Sequence, residues 1–487
     1  MVEKDEVIEV VNKIKYAIQK ELSKENVNHV LSLISTCARL LYETNLYYMD
    51  QELEDTLKSL AHKFIPEISD ANNNDVVIFY DGFGLNERGL AQIYLKALCR
   101  VKKVYYVTYS DRKKFIPDIL DILKINHGEA DFIDRNHCGI PDRIMQLQEI
   151  TMKIHPKHFF FYSTPDDVVA TTVLYSYENR MIRYQINLTD HAFWLGAHCI
   201  DKCIEFRPYG AKISNEYRKI PQEKIVVVPF YPIIHYEKSF DGYPFTINPT
   251  TKVVFSGGAL YKTLGKGNKY YQIVDYILEN NQDAVFWYAG SGDRTEMDKL
   301  IEKYPNRLYL TEERTDLFQV LQHCYFYLST YPLCGGLMFQ YAAMAEKVPI
   351  TLREGNVTDD FLIDQDMLGI QFDDIEDVKL EIDHLMKDKQ YVVDQGRRVK
   401  ESVIKEDTFD EEIECLINGA KSHYPISYEH IDTVEFRSTY LDNLDKGKLN
   451  EIMVRRDNAV LFMYAPLRFT RGVIKKVKNR VLLSHKS

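Results

Sequence analysis

Two adjacent glycines, Gly335 and Gly336, stand where a chain could bind an anion. They follow an apolar stretch at 324–328 that predicts a buried strand, and they precede an Ala- and Met-rich stretch that predicts a helix. Glycines let the backbone approach a ligand, and the free N–H groups of a helix's first turn point at it. An ordinary strand–turn–helix unit with a tight turn would show the same local pattern.

A second glycine turn in the same half of the chain brings a cation. Gly257 and Gly258 follow the strand predicted at 252–256, and Lys262 comes shortly after them. Two anion-binding features in one half-chain favour a diphosphate over a single carboxylate. The lysine motif of P-loop nucleotidases is missing from the sequence, so that class is disfavoured.

The first half of the chain places proton-exchanging groups at the end of a predicted strand. Asp190 and His191 follow the strand predicted at 183–188 and stand beside two aromatic residues. The imidazole could act as a base, or it could bind a phosphate or a sugar hydroxyl. A purely structural histidine remains an equal alternative.

A glycine-bearing loop after the strand predicted at 76–80 is a further candidate. It carries Asp81, Gly84 and Arg88, and its glycines do not fit the dinucleotide fingerprint. Loops at the carboxyl ends of parallel strands line binding clefts, which makes these residues site candidates. A capped turn with a surface arginine would look the same.

The elements that must position these groups alternate between strand and helix. Apolar stripes at helical spacing within residues 1–65 predict a helical region that caps the next domain or docks a partner. Two runs of alternating strands and helices follow, joined by the polar, Pro-bearing segment 236–249. This order predicts an α/β chain with two facing doubly wound, Rossmann-like domains and a ligand cleft between them. The predicted boundaries are 1–70 for the helical region, 71–240 and 241–425 for the two Rossmann-like domains, and 426–487 for a C-terminal extension.

The strand and helix predictions can be stated residue by residue. Continuous apolar runs predict strands that are buried on both faces, as parallel sheets require. Predicted strands lie at 76–80, 103–108, 158–162, 183–188, 204–206 and 224–229, and then at 252–256, 284–289, 307–310, 324–328 and 348–350. After the last strand, helices are predicted at 373–386 and 391–415.

Charge is unevenly distributed along the 487 residues. The net charge of −11 argues against a nucleic-acid binder, yet residues 454–487 are strongly basic. In the segment 461–487 the apolar residues Val473, Ile474, Val477 and Val481 share a helical face. That pattern predicts a basic amphipathic helix on an anionic membrane surface, or a final helix packed on the N-terminal domain with a solvated basic face.

Cysteine usage and hydropathy bear on the compartment. The eight cysteines include no CxxC pair, the N-terminus lacks an apolar signal core, and no apolar run approaches the ~18 residues of a membrane span. We therefore expect a reduced, cytoplasmic protein, with peripheral attachment to the inner face of the membrane as a possibility opened by the basic helix.

The sequence resembles nucleotide-sugar glycosyltransferases of the GT-B fold, of the bacterial capsule and polysaccharide type. Residues 255–262 look like the first strand and turn of the donor domain, where O-GlcNAc transferases and related families place a diphosphate-binding lysine. Tyr331, Pro332, Gly335 and Gly336, with the helix after them, look like that domain's phosphate loop and nucleotide helix. Residues 75–108 and 184–196 look like the acceptor-side domain.

The resemblance implies transfer of a hexosyl or N-acetylhexosaminyl group from a nucleotide diphosphate sugar, UDP-sugar favoured, to a glycan, lipid-linked or protein hydroxyl. No metal or other cofactor is implied, because lysine, backbone donors and a helix N-terminus stabilise the leaving diphosphate. His191 or Asp190 would be the base if the reaction inverts the anomeric centre, and His191 would be a binding residue if it retains configuration. The implied donor-site residues are Gly257, Gly258, Lys262, Gly335, Gly336, Leu337 and Gln340, and the acceptor-side loop holds Asp81, Gly84 and Arg88.

The sequence departs from these families in the nucleotide helix. Where they carry a carboxylate for the ribose, this chain reads Tyr341, Ala342, Ala343 and Met344, so Gln340 would have to bind the ribose through its amide. The pair of glutamates eight residues apart, typical of retaining enzymes, is also missing. Two alternatives therefore stay open: a catalytically inactive GT-B scaffold that binds a partner, and a nucleotide-sugar epimerase.

Overall fold

The computed structural model describes residues 3–65, 74–86, 89–353, 360–424, 430–442, 444, 446–454 and 458–484. They form two compact units. The first draws on the described parts of 1–228, 410–430 and 440–487, and the second on those of 229–409 and 431–439. The boundary after Val228 lies ahead of the segment 236–249 in which the sequence places its domain boundary.

Three helices open the first unit, as the apolar stripes predict. They are α1 (Lys4–Leu22), α2 (Val27–Thr44) and α3 (Gln51–Phe64). Their stripes are buried in the same apolar core as one face of the unit's sheet. The helical region is therefore part of the first unit's core and not a separate module.

The sheet of the first unit has seven parallel strands in the order β3-β2-β1-β4-β5-β6-β7. The central strand β1 is fully buried from Val77 to Tyr80, as its apolar run predicts. The strands are β1 (Asn74–Asp81), β2 (Lys103–Tyr109), β3 (Glu129–Ile133), β4 (Pro156–Tyr162), β5 (Ile182–Asn187), β6 (Lys202–Glu205) and β7 (Ile225–Val227). The helices between them are α4 (Leu90–Val101), α5 (Pro117–Ile125), α6 (Ile140–Ile154), α7 (Val168–Ser176) and α8 (Pro208–Glu216).

The second unit has a six-stranded parallel sheet in the order β10-β9-β8-β11-β12-β13. Its strands are β8 (Lys252–Gly257), β9 (Ala284–Ala289), β10 (Leu308–Thr311), β11 (Phe326–Leu328), β12 (Pro349–Leu352) and β13 (Gln371–Phe372). Its helices include α9 (Lys269–Asn280), α10 (Thr295–Lys303), α11 (Leu317–Gln322), α12 (Gly336–Met344), α13 (Ile375–Lys387) and α14 (Lys389–Glu401). Both sheets therefore have doubly wound, Rossmann-like topology, and in each the strand order reverses at the first strand.

The chain ends in a run of helices. They are α15 (Glu406–Ile417), α16 (Val434–Asp442), α17 (Lys446–Ile452), α18 (Leu461–Tyr464) and α19 (Pro466–Ser484). Helix α19 packs on α17 at Gly472, where a Cβ would lie 2.6 Å from Val454 Cγ2. The Arg468 guanidinium also pairs with Glu6 at 3.1 Å, so the basic helix is docked on the first unit. None of the described helices is long and apolar enough to cross a bilayer.

One helix prediction was wrong in its extent. Residues 391–415 form two helices, because the chain leaves α14 at Ser402 and α15 begins only at Glu406. Val403 and Ile404, between the two helices, are both buried.

Candidate functional site

The two glycine turns meet at the strand-order reversal of the second sheet. Strands β8 and β11 are paired there, with Val254 opposite Phe326. The turn after β8 holds Lys262, and the turn after β11 leads into α12. The Leu333 N–H donates to the Lys262 carbonyl oxygen at 3.3 Å, which ties the two turns together. Ligands of doubly wound sheets bind at this kind of crevice.

Lys262 is a half-buried cation in the turn after β8. It lies in a single 3-10 turn, Leu260–Thr263. Burial lowers the pKa of its ammonium, and the nearby Cys334 thiol offsets only part of that effect. Among the described residues no carboxylate lies within ion-pair distance of the ammonium. A buried charge that lacks a partner is costly, so an anion at this position would be stabilised.

The glycines leave room beside this lysine. Gly258 has φ +127, which L side chains rarely adopt, and a Cβ there would meet no atom within 4 Å. At Gly257 a Cβ would lie 2.9 Å from the Ala289 carbonyl oxygen, so this glycine permits close strand pairing. Gly335 is the N-cap of α12, and no side chain caps that helix. The position of its absent Cβ lies 3.9 Å from Lys262 Nζ.

The first turns of α12 hold the other predicted donor-site residues. Gly336 begins the helix, and a Cβ on it would lie 2.7 Å from Phe361 Cδ1. Leu337 is half-exposed, whereas Gln340 is buried. The Gln340 Nε2 donates to the carbonyl oxygens of Phe230 at 2.7 Å and Phe361 at 3.2 Å, and Oε1 accepts no hydrogen bond from the described residues. Only the amide oxygen is therefore left to accept from a ligand hydroxyl.

Asp190 lies in the first unit, just after β5, as one half of a buried ion pair. Its Oδ2 accepts from Arg207 Nε at 2.5 Å. Burial by itself would raise the pKa of Asp190, but the Arg207 guanidinium and the hydrogen bond with His191 outweigh burial and lower the pKa to about 2. A carboxylate with so low a pKa is a weak base at neutral pH.

His191 is more exposed than Asp190, its neighbour in the sequence. Its Nδ1 lies 3.3 Å from Asp190 Oδ1, and its side chain is 36% exposed. The ring also stacks on Tyr440, with centroids 6.5 Å apart. When Nδ1 donates its proton to Asp190, Nε2 is left as a hydrogen-bond acceptor at the surface of the first unit.

The loop after β1 is organised by Asp81. The carboxylate is fully buried and accepts the N–H groups of Phe83 and Gly84, each at 2.9 Å, and the Tyr106 hydroxyl at 2.8 Å. The structure thus places Asp81 as the cap of its loop. Gly84 adopts φ +58 and packs on Arg112, whose Cβ would lie 2.6 Å from a Cβ on this glycine. Arg88 lies outside the described residues.

Some relevant residues were not predicted from the sequence. Arg207 is separated from Asp190 by a strand and two loops, and no sequence signal connects it to the acid. Cys334 carries no sequence prediction, yet its thiol lies 2.9 Å from Ser329 Oγ beside Lys262. Within the described parts of the chain, no group of three His, Cys, Asp or Glu side chains is arranged to hold a metal ion.

Comparison with solved structures decides the fold type. An O-GlcNAc transferase mutant from Thermobaculum terrenum aligns over 90% of this chain and 82% of its own, with a TM-score of 0.53 and 13% sequence identity. The fold is of the GT-B type. At 13% identity, this GT-B chain and the O-GlcNAc transferase are similar in fold alone. No protein-family model and no curated protein sequence matches this chain.

Other neighbours of this GT-B chain align more loosely. A putative UDP-N-acetylglucosamine 2-epimerase from Listeria monocytogenes covers 71% of this chain and 96% of its own, with 11% identity and a TM-score of 0.48. WaaG, a glycosyltransferase involved in lipopolysaccharide biosynthesis, covers 71% of this chain and 100% of its own, with 10% identity and a TM-score of 0.46.

Proposed function

We propose that this GT-B protein transfers a sugar from a nucleotide diphosphate sugar, with UDP-sugar favoured, to an acceptor hydroxyl. The observation that carries the proposal is the half-buried Lys262 ammonium, which has no carboxylate partner among the described residues and lies beside the N-cap of α12 at Gly335. A diphosphate would supply the negative charge that the protein omits there.

The leaving diphosphate is the group that this arrangement would stabilise. In the proposed reaction the acceptor oxygen forms a bond to the anomeric carbon, and the bond from that carbon to the diphosphate oxygen breaks. Negative charge then grows on the diphosphate, where Lys262 and the uncapped first turn of α12 would receive it. No metal takes part in this proposal.

Ribose recognition would differ from that of families with a carboxylate on this helix. Gln340 has already committed its amide N–H groups to two backbone carbonyls. Its buried Oε1 would have to become accessible before it accepts one ribose hydroxyl, and it would then replace one of the two oxygens of a carboxylate. We therefore expect a weaker contribution from the ribose than a carboxylate would give.

His191 is the proposed base for an inverting reaction. Its Nε2 would take the proton of the acceptor hydroxyl as that oxygen attacks, while Asp190 holds Nδ1–H and steadies the resulting imidazolium. The low pKa of Asp190 suits this orienting role and not that of a base. In a retaining reaction no separate base is demanded, and His191 would bind the acceptor.

The C-terminal helix supports a proposal about where the acceptor is found. One side of α19 packs on the first unit, while Leu467, Ile474 and Val477 remain largely exposed among its lysines and arginines. Exposed apolar side chains beside basic ones suit the interface of an anionic membrane. We propose reversible docking at the inner face of the membrane, with a lipid-linked glycan of surface polysaccharide synthesis as the acceptor.

Calorimetric titration of UDP, GDP and their common sugar conjugates tests the donor site. We expect one nucleotide to bind the wild type, and the Lys262→Ala variant to lose about tenfold or more in affinity, since it lacks a charge-assisted contact. Lys299→Ala is the matched control, because Lys299 is an exposed lysine of the same unit that pairs with Glu296.

The same titration separates the alternatives. If no nucleotide binds the folded wild type, the transferase proposal fails and a partner-binding scaffold takes its place. If a UDP-sugar binds and is converted to a free sugar or its epimer without any acceptor, the protein is an epimerase. Sugar transfer to an added acceptor, lost in Lys262→Ala and kept in Lys299→Ala, supports the transferase.

A further inference from the structure

The first unit contains a basic cavity that none of the proposed steps uses. Its volume is about 740 Å³, within the range of small-molecule sites. It lies beyond the carboxyl ends of β1 to β4, and α2, α17 and α19 contribute to its walls. Among the described residues, seven lysines and arginines line it against four carboxylates. This excess of positive charge in an otherwise acidic protein requires an explanation.

Three of the four carboxylates already have partners, and one of them is Asp166, whose Oδ2 accepts from Ser35 Oγ at 3.4 Å. Asp167 is buried, caps α7 and accepts the Tyr80 hydroxyl at 2.7 Å. Glu43 pairs with Arg39 at 2.5 Å and with Lys448 at 3.1 Å. Among the described residues, Glu43 but not Asp167 pairs with cations of the cavity.

Arg112 and Arg135 line the cavity without a carboxylate partner in the described part of the chain. Among the described residues neither guanidinium has a carboxylate within ion-pair distance, and the buried Arg112 Nε has no hydrogen-bond partner. Arg135 lies on the Tyr109 ring, with its guanidinium carbon 4.8 Å from the ring centroid. Lys476 of α19 donates to the backbone carbonyl of Val454 and likewise pairs with no carboxylate in the described chain.

The two arginines are held in place by their surroundings. Gly84 lies against the Arg112 stem, where any side chain would collide with it. The Tyr109 and Tyr80 hydroxyl oxygens lie 3.1 Å apart, within hydrogen-bond distance, which fixes the ring that supports Arg135. A pair of positioned guanidinium groups has the fork geometry that binds phosphate through two hydrogen bonds each.

We propose that this cavity binds a ligand that carries phosphate groups, with Arg112 and Arg135 as its main contacts and Lys476 as a third. The inference does not rest on the proposed donor site or on the proposed base, because neither Lys262 nor His191 lines this cavity. A soluble phosphate ester and a phospholipid head group present the same chemistry, and exposed apolar residues of α19 make both sources reasonable.

Calorimetry with inorganic pyrophosphate tests the cavity. The titration is performed in the Lys262→Ala background, so that the proposed donor site does not contribute. We expect binding there, weakened about tenfold or more in Arg112→Gln and in Arg135→Gln. Lys114→Gln should leave the affinity unchanged, since Lys114 belongs to the same turn as Arg112 but is exposed and does not line the cavity.

A charge change of the opposite sign keeps the test informative if an arginine variant unfolds. Glu451 also lines the cavity, so Glu451→Gln should strengthen pyrophosphate binding severalfold. Lys476→Gln should weaken pyrophosphate binding, and the Lys476 side chain is only partly buried, so this variant is expected to fold.

Sedimentation with phosphatidylcholine vesicles, with and without phosphatidate, separates a soluble phosphate ester from a phospholipid head group. Phosphatidate-dependent binding that is lost in Arg112→Gln assigns the cavity to a lipid head group.

Two outcomes would overturn the proposal. One is pyrophosphate binding that disappears in Lys262→Ala and is unaffected by the cavity variants, which would assign the anion to the second unit. The other is absence of binding by both pyrophosphate and phosphatidate vesicles to the folded protein. If the wild type binds no UDP but still binds pyrophosphate in the cavity, the proposed donor site is refuted and this inference stands.

Discussion

The Lys262 ammonium lies 3.9 Å from the place that a Cβ atom would occupy on Gly335. One residue comes from the turn after β8 and the other from the start of α12. The space between the cation and the helix end is therefore kept open by the lack of a side chain at position 335. Any group placed there would compete with an anion for the same volume.

Gly335→Val is predicted to lower nucleotide affinity by about tenfold or more without unfolding the protein. The backbone at Gly335 has φ −100, which any residue adopts, and the nearest atom to a new Cβ is 3.8 Å away. Calorimetry gives the affinity and thermal unfolding gives the stability. Gly336→Val is the contrasting variant: its Cβ would meet the Phe361 ring, so it should destabilise by roughly 1–3 kcal/mol. Equal destabilisation by both would refute the assignment.

Nucleotide affinity should fall as the pH rises, and it should fall at a lower pH than it would if the binding lysine had an ordinary pKa. Burial lowers the pKa of Lys262, so the ammonium loses its proton, and its attraction for a diphosphate, below the usual lysine range near 10.4. The measurement is affinity against pH for the wild type and for Lys262→Arg. Arginine stays charged throughout, and the ligand's own titration affects both proteins alike. Parallel curves would show that Lys262 does not contact the ligand.

His191→Gln should reduce turnover by about 10²–10⁴-fold and leave nucleotide affinity unchanged, as expected for loss of a base in an inverting reaction. Steady-state kinetics with an acceptor, together with calorimetry of the nucleotide, makes the distinction. His137→Gln serves as the control, since His137 is an exposed histidine of the same unit. A rise in KM with kcat preserved would instead assign His191 to acceptor binding.

Asp190→Asn should destabilise the protein by about 3 kcal/mol, because it removes the carboxylate that pairs with the buried Arg207 guanidinium. The pKa of Asp190 is lowered from 3.8 to about 2, so its ionisation contributes about 2 kcal/mol of stability that is complete above pH 3.8 and lost as the pH falls through 2. Denaturant unfolding between pH 5 and 2 (roughly the window of these two pKa values) measures this. The wild type should lose more stability than Asp190→Asn over that interval, and exposed Asp121→Asn should behave like the wild type.

The double variant Ile474→Ser and Val477→Ser should weaken binding to anionic vesicles by about tenfold or more, with the melting temperature unchanged. The two side chains are 62% and 56% exposed on α19, so the packed face of the helix is not touched. Leu380→Ser on α13 is the control, because Leu380 is 68% exposed and is far from α19 in the sequence. Vesicle binding that is the same in all three proteins would remove the membrane from the proposal.

The central strands of both sheets could be predicted from the sequence, and two edge strands could not. A strand buried on both faces, such as β1 or β8, must be apolar at nearly every position, and such runs stand out. β3 and β13 lie at the edges of their sheets and are only partly buried. Edge strands carry polar residues that face water, so Glu129–Ile133 gives no continuous apolar signal.

The candidate site was predictable only where it is local in sequence. Glycines that adjoin a predicted strand and helix indicate an anion site, which is how Lys262 and Gly335 were selected. The pairing of Asp190 with Arg207 depends on how α8 packs beside β5, and single-sequence patterns carry no information about that packing. The basic cavity is even harder to predict from the sequence, since Arg112, Arg135 and Lys476 come from three separate segments of the chain.

The return of the chain to its first unit has a consequence for synthesis on the ribosome. Leu449, Met453 and Leu461 belong to the apolar core that the helices and sheet of residues 3–228 share. These side chains are translated after the whole of 229–409, so the second unit can complete its core while the first still lacks part of its own. Nascent chains stalled at a point where residue 409 has just left the exit tunnel should therefore hold a protease-resistant second unit and an exposed apolar groove on the first, a natural site for chaperones.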